Sequence, residues 1–110
     1  MDNIAKDLES LDRFLEGERG AARPAGAILV EPILGRGGQQ TPPVGWLPGL
    51  RELADRHEAV LIFDEIYTGL GRTGTWWAGD AEGVVPDVVL APCLLSTKAL
   101  GWTRCRCCPA

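Results

Sequence analysis

A chain of 110 residues has room for one domain at most, and a domain of this size buries roughly two thirds of the surface that its unfolded chain exposes. With 45% hydrophobic and 24% charged residues, the composition excludes a disordered or fibrous protein. A net charge of -4 and a single short basic cluster, Arg104 to Arg106, leave no electrostatic footprint for nucleic acid.

The acids Asp2, Asp7 and Glu9 at the start of the chain argue against a secretory signal. No stretch approaches the apolar length of a membrane span. The expected setting is cytoplasmic, without a membrane partner. Cys93, Cys105, Cys107 and Cys108 all fall in the last eighteen positions, which separates a tail from the body and does not describe a disulfide framework.

In chain order, Ile4, Leu8, Leu11 and Leu15 recur at three- and four-residue steps, which predicts an amphipathic helix over residues 3–16. A polar connection, 17–24, leads to the aliphatic run Ala27 to Val30, which ends on Glu31 and Pro32. A short apolar run bounded by breakers reads as a buried parallel strand. Four glycines and two prolines between Gly35 and Gly45 make a loop. Trp46, Leu47, Leu50, Leu53, Ala54 and His57 share one helical face, so a second helix is expected over 46–57, with Pro48 confined to its first turn. His57 is expected to pack and not to bind a ligand. Residues 59–63 form the next buried strand, closing on Asp64 and Glu65, and 87–91 a shorter third one.

Helix, strand, helix, strand, strand is the rhythm of an α/β layer with parallel strands and crossover helices. Ligands of such sheets collect beyond the carboxyl ends of the strands. Glu31 and Asp64 both stand there. Two carboxylates closing a hydrophobic strand point to a cation: a nucleotide-bound magnesium ion, a protonated ring nitrogen of a cofactor, or an arginine of the same chain. An apolar strand ending in Asp-Glu is also how the acidic strand of a P-loop ATPase looks. The chain, however, has no Gly-x-x-x-x-Gly-Lys-Ser/Thr loop to cradle a triphosphate, so an ATPase fragment is only a minor alternative.

The string Asp64-Glu-Ile-Tyr-Thr-Gly-Leu-Gly-Arg-Thr-Gly74 is more specific. Together with Trp76-Trp77, Gly83-Val-Val-Pro86-Asp87 and a later Lys98, it resembles the motif of the class III, pyridoxal-phosphate-dependent aminotransferases. Upstream, Glu31-Pro32-Ile-Leu-Gly35-Arg-Gly37-Gly38 and the Pro42-Pro-Val-Gly-Trp46-Leu47 segment are similar to the family's glycine-rich loop and following helix. The resemblance covers the chain to about Ala91 and implies a partial parallel sheet with crossover helices, a fragment of an aspartate-aminotransferase-like large domain. It divides the chain into residues 1–91, a partial cofactor-binding large domain, and residues 92–110, an atypical Cys/Arg-rich tail. A shifted reading frame or a misassigned end is the expected origin of that tail. A zinc site is disfavoured because Cys-x-Cys-Cys lacks the paired spacing of structural sites.

The resemblance also implies roles. Asp64 pairs with the pyridine nitrogen of pyridoxal 5'-phosphate, Ile66 packs on one ring face, and Tyr67 stands where many members carry a glutamine that reaches the cofactor's phenolic oxygen. Lys98, in Ser96-Thr-Lys98-Ala-Leu-Gly101, matches the lysine that carries the cofactor covalently and shuttles the proton. It lies eleven residues after Asp87, farther than the family spacing, and Trp102 replaces a family glycine. Arg36 occupies a position where members acting on ω-amino substrates often carry glutamate, a charge reversal that makes their specificity unsafe to carry over. The implied activity is transfer of an amino group from an amine or amino acid to a 2-oxo acid, in a homodimeric parent enzyme. The chain itself is expected to be incomplete and inactive, and a non-enzymatic remnant or interaction fragment is the alternative.

Overall fold

The computed structural model describes residues 2–21, 24–36 and 38–91, with side chains from Asp7 onward. Lys98 and all four cysteines lie outside the described residues. In chain order the elements are α1 (Asp2–Glu18), β1 (Ala27–Val30), α2 (Trp46–Arg56), β2 (Val60–Asp64), a 3-10 turn (Ala78–Glu82) and β3 (Val88–Leu90). The strands form one parallel sheet in the order β1-β2-β3. Ala27 to Val30 lie opposite Val60 to Phe63, and Ile62 to Asp64 opposite Val88 to Leu90.

The core is built where α2 crosses β2. Leu47, Leu50 and Ala54 of α2 pack with Leu61 and Phe63 of β2 and with Val84, and Leu8, Leu11 and Trp46 close in at the margin. Alternation along a strand sends every second side chain to one face. Leu61 and Phe63 accordingly face α2 and are fully buried. Pro48 falls in the first turn of α2, where its missing N–H costs no helical bond. No acid stands in that turn; Glu82 supplies one from the 3-10 turn, its Oε2 accepting the Gly45 N–H at 2.7 Å, which suits the positive end of the helix.

The other sheet face differs from the expectation of strands buried on both sides. Leu29, Val60, Val88 and Leu90 are 62%, 41%, 42% and 38% exposed. The physical reason is that α2 packs on one side of the sheet and no described element covers the other. No described helix is long and apolar enough to cross a membrane.

Two polar nodes join the layers. Asp87, just before β3, accepts the Leu61 N–H at 2.7 Å and the Arg51 guanidinium at 2.9 Å, while its own N–H donates to Leu61 O. The carboxylate thus satisfies a backbone donor at the end of the ladder. Between the helices, Asp12 of α1 holds His57 Nε2 at 2.5 Å and Arg56 at 2.8 Å. His57 is packed, its side chain 3% exposed. The hydrogen bond from His57 holds Asp12 below its ordinary value of 3.8 against the opposing effect of burial, with the charge of Arg56 adding to the lowering. The Leu61 N–H and then Arg51 do the same for Asp87.

A depressed carboxylate contributes stability above its unfolded pKa and loses it as the pH falls through the folded value. Acidification below 3.8 is therefore expected to destabilise the parent chain more than Asp12→Asn or Asp87→Asn, as read by thermal unfolding across that range. Curves that stay parallel contradict the roles given to both nodes. Among the described residues the sheet has two free edges and one open face, and the chain is also expected to unfold in urea with less than about 5 kcal/mol of stability; a steep single transition well above that value contradicts it.

Candidate functional site

The carboxyl ends of β1 and β2 place Glu31, Asp64 and Glu65 along one edge of the sheet, and the three carboxylates have different surroundings. Glu31 Oε2 accepts the Gly35 N–H at 3.0 Å, which folds the glycine-rich loop back on the strand that precedes it. Glu65 is completely buried. It accepts Thr68 Oγ1 at 2.5 Å, the Ala78 N–H at 3.0 Å and the Gly79 N–H at 3.3 Å, and its own N–H donates to Leu90 O at 2.9 Å. All three side-chain contacts are donors, the arrangement a carboxylate needs out of water.

Asp64 is partly exposed. Its Oδ1 accepts the Ile66 N–H at 3.1 Å, and no arginine or lysine among the described residues pairs with it. Asp64 also follows Val60 and Ile62 in the alternation of β2, so it belongs to the open side of the sheet. Glu65 follows Leu61 and Phe63 to the helical side.

After Glu65 the chain makes a series of turns over residues 66–77. Arg72 Nη1 donates to the carbonyls of Ile66 at 3.2 Å and Gly69 at 3.4 Å, and the Leu70 N–H bonds Trp76 O at 2.8 Å. Gly69 is required by closeness: a Cβ there would lie 2.8 Å from both Glu65 O and the Trp77 ring. The effect is to pin the segment at both ends and turn Ile66 and Tyr67 outward, 54% and 46% exposed. Ile66 is therefore not a core isoleucine.

Beside this segment lies an open cavity of about 520 Å³ whose walls include Ile33, Gln39, Ile66, Tyr67, Arg72 and Thr73, a size suited to a small-molecule site. Ile66 and Tyr67 are thus brought together on one cavity. Asp64 is near in sequence but is not part of that wall, and Lys98 lies outside the described residues. Arg36 is exposed and pairs with no described residue.

Sequence reasoning did not single out Gln39, whose Nε2 donates to Tyr67 Oη at 2.6 Å. It also missed the anchoring of Glu65 and Arg72. A glycine-rich loop carries no periodicity that would mark Gln39. The signal for Glu65 was present in the alternation of β2, which places it on the side of Leu61 and Phe63.

The Aminotransferase class-III family model matches residues 2–101. Ornithine aminotransferase 1 of Staphylococcus aureus (strain COL) is 52% identical over 75 residues, which are 68% of this chain and 18% of that protein. The mitochondrial ornithine aminotransferase of Rattus norvegicus is 49% identical over 84 residues, 76% of this chain and again 18% of the relative. An (S)-enantioselective omega-transaminase structure from Thermomicrobium roseum superposes with a TM-score of 0.72 at 34% identity, over 80% of this chain and 19% of the other. The chain spans less than a fifth of the length of these relatives. A match of this extent to an aminotransferase family displaces the nucleotide-hydrolase alternative. With its parallel sheet, its motif at the end of β2 and these relatives, the chain belongs to the class III aminotransferase family.

Proposed function

We propose that this chain carries part of the pyridoxal 5'-phosphate site of an aminotransferase that moves an amino group from an amine or amino acid to a 2-oxo acid. One observation carries the reading: Asp64 stands at the carboxyl end of a central parallel strand with one oxygen on the Ile66 N–H and no internal cation against it among the described residues. A partly buried carboxylate in that state favours a ligand cation, and a protonated pyridine nitrogen has the right charge and shape.

When bound, the cofactor supplies the electron sink for the carbanion formed at the substrate carbon. Asp64 then holds the proton on the ring nitrogen, because a neighbouring negative charge favours the charged form of its partner. Ile66 offers an apolar surface to one ring face and fixes its plane. Tyr67 provides a hydroxyl for the phenolic oxygen, and Lys98 the amine for covalent attachment and proton transfer. An arginine at position 36 puts positive charge where ω-amino-specific members often carry glutamate, which argues against narrowing the substrate to ornithine.

Residues 1–91 form the partial cofactor-binding unit in this reading, and residues 92–110 a compositionally foreign tail. The setting is cytoplasmic and the parent enzyme homodimeric. The open sheet face favours a second element of the proposal: alone, the chain holds the cofactor without turning a substrate over; a non-enzymatic remnant is the alternative, and it would leave the cofactor band unshifted.

Titration of the purified chain with pyridoxal phosphate, followed by visible absorption, tests the reading. The parent chain is expected to shift the cofactor band, and Lys98→Ala to abolish the covalent part of the shift. Asp64→Asn is expected to weaken retention roughly ten-fold or more, the value of a charge-assisted hydrogen bond. Equal retention by Asp64→Asn and the parent contradicts the role given to Asp64.

A further inference from the structure

The glycine-rich loop reaches the cavity through one side chain. Leu34 and Gln40 pair across it, with N–H to carbonyl bonds of 3.0 and 3.2 Å in the two directions. Gln39, next to that bridge, holds a left-handed backbone with φ of 55°. An L residue other than glycine adopts this conformation only at a steric cost, so the surroundings must impose it. The result is the 2.6 Å bond from Gln39 Nε2 to Tyr67 Oη. On the other side, a Cβ at Gly35 would lie 3.2 Å from Tyr67 Cγ, so the absence of a side chain there seats the ring closely against the loop.

A phenolic oxygen can accept hydrogen bonds but has one hydrogen to give. We propose that Gln39 is a positioning residue: by donating to Tyr67 Oη it occupies an acceptor lone pair and leaves the Tyr67 O–H to be donated to an anionic oxygen of the ligand in the cavity. The identity of that oxygen, the phenolate of the cofactor, rests on the reading above; the direction of the Gln39–Tyr67 bond does not. Polarisation by the amide strengthens the outgoing bond.

The chain contains one tyrosine, so its Raman Fermi doublet reports Tyr67 alone. The intensity ratio of the doublet rises when the oxygen accepts and falls when the O–H donates. In the chain without ligand, the parent is expected to show the acceptor ratio. Gln39→Leu should lower it, and Gln39→Glu, which has the same size but only acceptor atoms, should lower it further. Circular dichroism checks that both variants keep the fold. Adding pyridoxal phosphate should lower the ratio of the parent, and Gln39→Glu should weaken cofactor retention about ten-fold.

A parent doublet that already matches Gln39→Glu, or a doublet indifferent to both substitutions, overturns the proposal. So does cofactor uptake, seen by absorption, that leaves the parent doublet unchanged. Should the parent take up no pyridoxal phosphate, the cofactor reading fails, while the ligand-free comparison of the three chains still decides the role of Gln39.

Discussion

The burial of Glu65 constrains the remainder of the site. Taking a carboxylate fully out of water costs several kcal/mol unless hydrogen-bond donors replace the lost hydration. Here the Thr68 hydroxyl and the Ala78 and Gly79 amides do so. One donor lies near the start of the 66–77 segment and two immediately follow it, so satisfying one side chain closes that segment against the end of β2. Ile66 and Tyr67 have no place in the core once this happens. They are turned toward the cavity.

The same alternation separates the two adjacent acids. Leu61, Phe63 and Glu65 are buried on the helical side, whereas Val60, Ile62 and Asp64 lie on the open side. One acid is consumed by the scaffold and the other is left available to a ligand. Several other motif residues are also scaffold: Arg72 ties the carbonyls of its own turn, and Asp87 completes the ladder of β2 while it anchors Arg51 of α2. A string of sequence that reads as one catalytic motif is, physically, a few outward-facing groups held by a larger number of structural ones.

Much of the framework was legible in the residues. β1 has the expected bounds, α2 ends one residue early, and β2 is displaced by one, because apolar runs bounded by Gly, Pro and charge mark such elements strongly. The 3-10 turn Ala78–Glu82 left no periodic trace, since it is set by the Glu65 carboxylate and by the Asp80 bond to the Trp77 N–H. The open face of the sheet was hidden for another reason. A strand apolar on both sides does not disclose which of them a helix will cover. Tyr67 was recognised by its place in the motif, but the partner that orients its hydroxyl comes from a loop 28 residues away, a pairing that only the folded chain displays.

The division of labour between the two acids is tested most directly by comparing the thermal unfolding of Glu65→Gln and Asp64→Asn in the absence of cofactor. An amide at Glu65 turns an –NH2 group toward donors that need an acceptor, so a loss of roughly 1–3 kcal/mol is predicted. Asp64→Asn keeps an oxygen for the Ile66 N–H and should stay within about 0.5 kcal/mol of the parent. A larger loss from Asp64→Asn than from Glu65→Gln would assign the scaffold role to the wrong carboxylate.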